Sequence, residues 1–214
     1  MAMSFELPQL SYVAPDFADH FVDSLRQYGF AAVVDHPLDS HRVERIYQDW
    51  LAFFASEEVS AFTMDPQRQD GYFSLRSAEH AKGFRVRDFK EYFQFYRWGR
   101  CPDTLRPDLE SHFNSTLMLG ATLLGYIAHS LPTSVSERLT EPLRDMIKGS
   151  QQTMLRVLHY PPIPEDQPVF RAAPHEDINL LTLLPAADGP GLELRLPGGE
   201  WVSVPHQPGQ LIVN

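Results

Sequence analysis

Pro174-His175-Glu176-Asp177-Ile178-Asn179-Leu180-Leu181-Thr182-Leu183-Leu184 places a histidine and an aspartate two residues apart, just before the most apolar run of the chain. Residues 178–184 are aliphatic-rich and uncharged, which predicts a buried strand. In an extended chain residues i and i+2 project to the same side, so His175 and Asp177 can grip one ion while Glu176 points away. Imidazole with a hard carboxylate suits ferrous iron when a second histidine completes a facial triad and leaves three coordination positions open. Spacing by itself discriminates weakly. With nine histidines and 28 acidic residues, about one His-x-acid triplet arises by chance, and the chain has one. The pair therefore takes its weight from its surroundings.

Around it the second half of the chain has a strand texture. Short runs of β-formers at residues 154–160, 178–184, 191–196, 201–204 and 211–214 are separated by Pro and Gly, the pattern of a sandwich or small barrel. The first half reads differently. After an extended start at residues 5–12, Phe17, Phe21, Leu25 and Tyr28 recur near the helical period until Gly29 stops them. Residues 30–34 look like a short buried strand broken by Asp35-His36-Pro37. Behind a Ser40 cap, Val43, Ile46, Tyr47, Trp50, Leu51 and Phe54 form an apolar stripe predicted to face a core. Residues 56–104 suggest only turns and short strands near Gly71-Tyr72 and residues 88–98. A long helix is expected over residues 107–131, ended by Pro132, and one more helix over residues 136–147. Helices buttressing one sheet in an α+β unit is the resulting expectation.

The whole composition is that of a globular chain, with 43% hydrophobic and 21% charged residues among 214. A formal charge of -10 repels phosphate backbones and anionic lipid, so no nucleic acid partner is expected. Lys82, Arg85, Arg87 and Lys90 alternate with Phe84, Asp88 and Phe89, and a solvated charged loop is the preferred reading of that cluster. Cys101 is the one cysteine, which leaves no internal disulfide. Neither a signal-peptide pattern nor a membrane-length apolar run is present, which points to the cytoplasm and to no membrane partner.

Several words occur in fixed order along nearly the whole chain. They are Tyr28-Gly29-Phe30 leading to His36; Gly71-Tyr72, Glu79 and Asp88-Phe89-Lys90-Glu91; and Leu155-Arg156-Val157-Leu158-His159-Tyr160-Pro161-Pro162. The His175 stretch follows, then Gly191-Leu192-Glu193 with Trp201, Val204, Pro208-Gly209 and Val213-Asn214. In order and spacing these resemble the isopenicillin N synthase-like branch of the 2-oxoglutarate/Fe(II) oxygenases. The resemblance implies a double-stranded β-helix, a jelly-roll or cupin-like barrel, buttressed by N-terminal helices. It implies a single oxygenase domain over residues 1–214, with a mainly helical scaffold over 1–150 and barrel strands over 151–214. It carries His175 and Asp177 over as iron ligands and Tyr160 as a hydrogen-bond donor to the 2-oxoglutarate carboxylate. The implied cofactors are Fe(II), 2-oxoglutarate as co-substrate and O2, with ascorbate able to support the iron. The implied partner is a small organic substrate that is hydroxylated, desaturated or ring-closed as succinate and CO2 are released.

The chain also departs from that pattern. Leu158 stands where the family often has an asparagine that helps hold the co-substrate. The third ligand, a histidine, and the arginine that pairs with the far carboxylate of 2-oxoglutarate are absent, and the chain stops at Asn214 inside the apolar run Leu211-Ile212-Val213. Since such an end would leave an open hydrophobic sheet edge, truncation at the C-terminus is expected. His159 is read as a polar outer residue, Arg156 as a barrel residue with its guanidinium near solvent, and His206 as a turn residue. Two alternatives stay open: a non-catalytic β-barrel binding protein that has lost its iron site, and a cupin-like metalloenzyme of another class. The oligomeric state is not legible.

Overall fold

A computed structural model describes residues 7–77, 88–164, 170–204 and 206–214. Two compact units are each assembled from segments distant in sequence. One comprises the described residues up to Ser40 together with Asn114–Lys148 and Asn179–Asn214, and the other comprises His41–Phe113 with Gly149–Ile178.

In the first unit, α1 (Phe17–Tyr28) buries Phe17, Phe21 and Val22. Gly29 ends it as the sequence predicts, with φ 76 and its N–H donating to the Leu25 carbonyl at 2.9 Å, a conformation glycine adopts without a Cβ clash. β1 (Gln9–Ser11) pairs parallel with β2 (Ala31–Val34), and β2 pairs antiparallel with β9 (Leu211–Val213). β6 (Leu183–Pro185) closes the order β1-β2-β9-β6. Within this sheet β9 has a strand on either side, and all three of its residues are buried. Alternation divides this sheet's side chains. Ala31, Val33, Leu211 and Val213 pack with α1 and with Leu119 and Leu123, while Ala32 and Ile212 pack with Leu194 and Val202. Leu194 and Val202 face each other across a two-stranded hairpin, β7 (Glu193–Arg195) with β8 (Trp201–Ser203).

Two expectations fail in this unit. Residues 178–182 are not strand; Ile178 and Leu180 are exposed, and the Asn179 amide donates to the Leu181 carbonyl and the Thr182 hydroxyl, each at 3.0 Å. Those local bonds give the backbone an alternative to a ladder. The helix expected over residues 136–147 is instead two single turns, α4 (Thr133–Ser136) and α5 (Leu143–Met146). Pro142 separates them, because a proline disfavours helical backbone at the residue before it and pre-sets φ to open the next turn.

In the second unit α2 (Ser40–Phe54) buries Ile46, Trp50, Phe53 and Phe54. The stripe is rotated from the predicted one: Leu51 is exposed and Phe53 takes the inward place. The aromatic rings decide the rotation, since Trp50 and Phe53 lie 4.6 and 6.0 Å from Phe93 by ring centroids. Phe93 belongs to β4 (Glu91–Phe95), the centre of an antiparallel sheet with β3 (Gly71–Phe73) and β5 (Leu155–His159). Among the described residues there are thus three sheets rather than the one expected. α3 (Arg106–His129) begins in this unit, where Phe113 meets Phe95 edge to face at 5.9 Å. Among the described residues no helix is long and apolar enough to cross a membrane.

Candidate active site

The register of β3, β4 and β5 sorts their residues onto two faces. Tyr72 is opposite Phe93 and Phe93 is opposite Val157, while Tyr92 is opposite Leu158 and Gln94 opposite Arg156. Since successive residues alternate, Tyr72, Glu91, Phe93, Val157 and His159 share the face that packs on α2. Tyr92, Gln94, Arg156 and Leu158 share the other.

On the α2 face, His159 is not an outer residue. Its side chain is 28% exposed, its Nδ1 donates to Glu91 Oε1 at 2.7 Å, and its ring stacks on Phe54 at 5.8 Å. The Tyr72 hydroxyl donates to the other oxygen of Glu91, and burial together with that carboxylate raises the phenol's pKa. On the opposite face, the Arg156 guanidinium lies over the Tyr92 ring at 4.9 Å and its Nε donates to Gln94 Oε1 at 3.0 Å. Arg156 is part-buried, and its charge is drawn onto the electron-rich ring face. Lys90 is not a solvated loop residue. It is buried with Nζ donating to Asp88 Oδ2 at 2.9 Å, and it also lies 5.9 Å from the Tyr92 centroid. Lys82, Arg85, Arg87 and Glu79 lie outside the described residues.

Asp88 links this sheet to the segment carrying the predicted ligands. The Phe89 N–H donates to the Phe170 carbonyl at 2.7 Å, and the Ala173 N–H donates to Asp88 Oδ1 at 2.9 Å. His175 follows in irregular, exposed backbone rather than at the start of the strand expected there. Its Nδ1 donates to the Ala173 carbonyl at 2.8 Å, and its Nε2 is 3.6 Å from Asp177 Oδ1. Two metal–ligand bonds of about 2.1 Å span up to about 4.2 Å, so both atoms can reach one ion. The side chains are 56% and 33% exposed, so the pair is accessible to an ion from solution. Among the described residues no group of three His, Cys, Asp or Glu side chains is close enough to hold a metal, and His206 is exposed just ahead of the turn at Pro208-Gly209.

Tyr160 follows β5 directly and is 38% exposed as a residue. Its hydroxyl is the enclosed end: desolvation and the nearby Asp88 carboxylate raise its pKa above the ordinary 10.0, opposed by Arg156 and Arg171. The phenol therefore keeps its proton and remains a donor across the neutral range.

Two family models match this chain. Residues 5–112 match the N-terminal region of the non-haem dioxygenases of morphine synthesis, and residues 151–214 match the 2OG-Fe(II) oxygenase superfamily. The second match contains Tyr160, His175 and Asp177. A solved Shewanella oneidensis protein classed as an oxygenase is 42% identical with a TM-score of 0.88, covering 98% of this chain and 76% of that one. The chain belongs to the 2-oxoglutarate/Fe(II) oxygenase family, on its isopenicillin N synthase-like branch.

Another solved member of the 2OG-Fe(II) oxygenase family, from Caulobacter crescentus, is 30% identical with a TM-score of 0.74, covering 97% of this chain and 73% of that one. Flavanone 3-dioxygenase 2 of Oryza sativa subsp. japonica is 25% identical over 97% of this chain, which spans 63% of that enzyme's length. As an oxygenase-family chain it has a mixed architecture of helices and sheets. Asp88 and Lys90 were visible in its sequence as part of a family word, but their mutual bond was not. The available signal was their i, i+2 spacing within an aromatic-flanked extended run.

Proposed function

We propose that the protein is a non-haem Fe(II), 2-oxoglutarate-dependent oxidoreductase acting on a small organic substrate, built on a double-stranded β-helix with helices buttressing it. The observation that carries the reading is the 3.6 Å approach of His175 Nε2 to Asp177 Oδ1 while the other ring nitrogen is tied to the Ala173 carbonyl. A carbonyl can only accept, so Nδ1 holds the proton and Nε2 offers its lone pair towards Asp177. This donor pair fits ferrous iron, with the carboxylate offsetting its charge. Iron bound there with 2-oxoglutarate supplies oxidation by dioxygen, coupled to release of succinate and CO2. The chain's own part is to hold and orient. Tyr160, kept protonated, donates to a 2-oxoglutarate carboxylate, and Arg156 and Arg171 near its hydroxyl oppose the effect of the Asp88 carboxylate there. Cys101 is buried and its thiol is pushed up to about 12, so it is inert as a nucleophile and the cytoplasm suits it.

The test uses the full chain encoded by the gene, loaded anaerobically with Fe(II) and 2-oxoglutarate. A weak visible charge-transfer band is expected, lost in both His175→Ala and Asp177→Ala. No band in the unmutated protein, or a band indifferent to both substitutions, sinks the reading. Turnover retained with zinc in place of iron points to a metalloenzyme of another class.

A further inference from the structure

We propose that Asp88, neutralised by Lys90, is a positioning residue for His175 and acts through the main chain of Ala173; this rests on the oxygenase reading, which makes His175 a metal ligand. Asp88 Oδ1 accepts from the Ala173 N–H at 2.9 Å, and the carbonyl of the same alanine accepts from His175 Nδ1 at 2.8 Å. One residue thus passes the placement of a buried carboxylate on to an imidazole ring. The ring needs it, because a side chain 56% exposed has little packing to fix its rotation.

The charge on Asp88 calls for a reason. Asp88, Lys90 and Ala173 are 4%, 5% and 2% exposed, and a buried ion pair returns little net stability against its desolvation. A neutral acceptor is enough to satisfy one amide. A carboxylate makes a charge-assisted bond, shorter and roughly twice as strong as a neutral one. Lys90 holds the second oxygen at 2.9 Å and so fixes which oxygen faces Ala173. The Phe89 N–H bond to the Phe170 carbonyl at 2.7 Å tethers the same segment three residues earlier. Together they hold residues 170–173 against residues 88–89, leaving the ligand pair on an anchored base rather than on a loose loop.

Two readouts that do not depend on turnover test this in the full chain. Ring nitrogen–proton correlation spectra of the metal-free protein, labelled with 15N-histidine, report the His175 tautomer. Titration with Co(II) reports metal affinity. The unmutated protein is expected to show the Nδ1–H tautomer. Asp88→Ala is expected to mix the tautomers and to weaken Co(II) binding by roughly 10- to 100-fold. Asp88→Asn, which retains an acceptor without the charge, is expected to lose about threefold or more. An Nε2–H tautomer in the unmutated protein overturns the proposal with no variant needed. So does wild-type behaviour of folded Asp88→Ala in both readouts; where that variant does not fold, wild-type behaviour of Asp88→Asn does the same. His175→Ala separates the two levels. Co(II) binding that survives it removes the oxygenase reading, whereas binding that needs His175 but ignores Asp88 removes only the positioning role.

Discussion

Sheet β1-β2-β9-β6 is apolar on both faces, whereas sheet β3-β4-β5 carries bonded polar groups on both, Glu91 with Tyr72 and His159 towards α2 and Gln94 with Arg156 on the other. In the first, Val33 and Ile212 are equally buried although they point in opposite directions. In the second, Phe93 and Val157 pack towards α2 while Gln94 and Arg156 bond to each other across the opposite face. A sheet covered on both faces can be built of aliphatic side chains without choice of sign. A sheet that carries polar side chains must satisfy each one it buries, and beside it Asp88 pairs with Lys90 and lies near the Tyr160 hydroxyl.

The comparison can be broken at several points. Phe93→Ala removes a fully buried ring that meets Trp50, Phe53 and Phe62, and should cost about 3–5 kcal/mol in urea unfolding. Leu211→Ala in the other sheet should cost about 2–5 kcal/mol by the same measurement, and a much smaller loss from either would show that its core is not the one described. Lys90→Met strands the Asp88 carboxylate without its partner and should cost about 3 kcal/mol. A second substitution, Asp88→Leu, should recover much of that stability without recovering metal affinity, which separates this buried ion pair from the aliphatic packing of the other sheet.

Tyr160→Phe should weaken 2-oxoglutarate binding by about 1.5 kcal/mol or more in calorimetry. The same variant tests the raised pKa. Because the folded protein holds the Tyr160 proton more tightly than the unfolded chain, its contribution to stability is complete below the ordinary 10.0 and is lost as pH rises through the folded value. A phenolate absorbance step above that ordinary value should therefore disappear in Tyr160→Phe, and an unchanged titration curve counts against the assignment. The smallest effect is expected at Arg45→Ala. Its guanidinium donates to both oxygens of Asp108 at 3.1 and 3.3 Å, but the pair is partly exposed, so the loss should stay under about 1 kcal/mol. Arg45 holds the Asp108 carboxyl below its usual range, so what stability exists is present above the ordinary carboxylate value and vanishes as pH falls through the folded one. Chemical denaturation at two pH values checks the sign.

Much of this was legible from one dimension. The period of Phe17, Phe21 and Leu25 with Gly29 behind them gave α1, because helix amphipathicity and the left-handed cap are local. His175 and Asp177 were singled out by spacing and by the words around them, and their side chains do meet. The reason given for the meeting did not hold: the pair sits in irregular backbone, and Asn179 bonds locally where a strand was expected. Leu51 and Phe53 exchanged roles on α2 because the choice depends on Phe93, some forty positions away in the chain. In the same way residues 211–213 read only as a short run of β-formers, and their pairing with Ala31, Ala32 and Val33 from far along the chain was not legible.

From one dimension alone come the family, the helix–strand texture of the two halves, and the choice of His175 and Asp177 as a pair whose side chains meet. All of these depend on residue type and short spacing. It takes the folded chain to show that Lys90 is buried rather than solvated, that the Arg156 guanidinium lies over the Tyr92 ring, and that Asp88 reaches the backbone beneath His175. Each of those depends on which distant segments share a neighbourhood. A charge's environment is set by what excludes water from it, and no local pattern of residues records that.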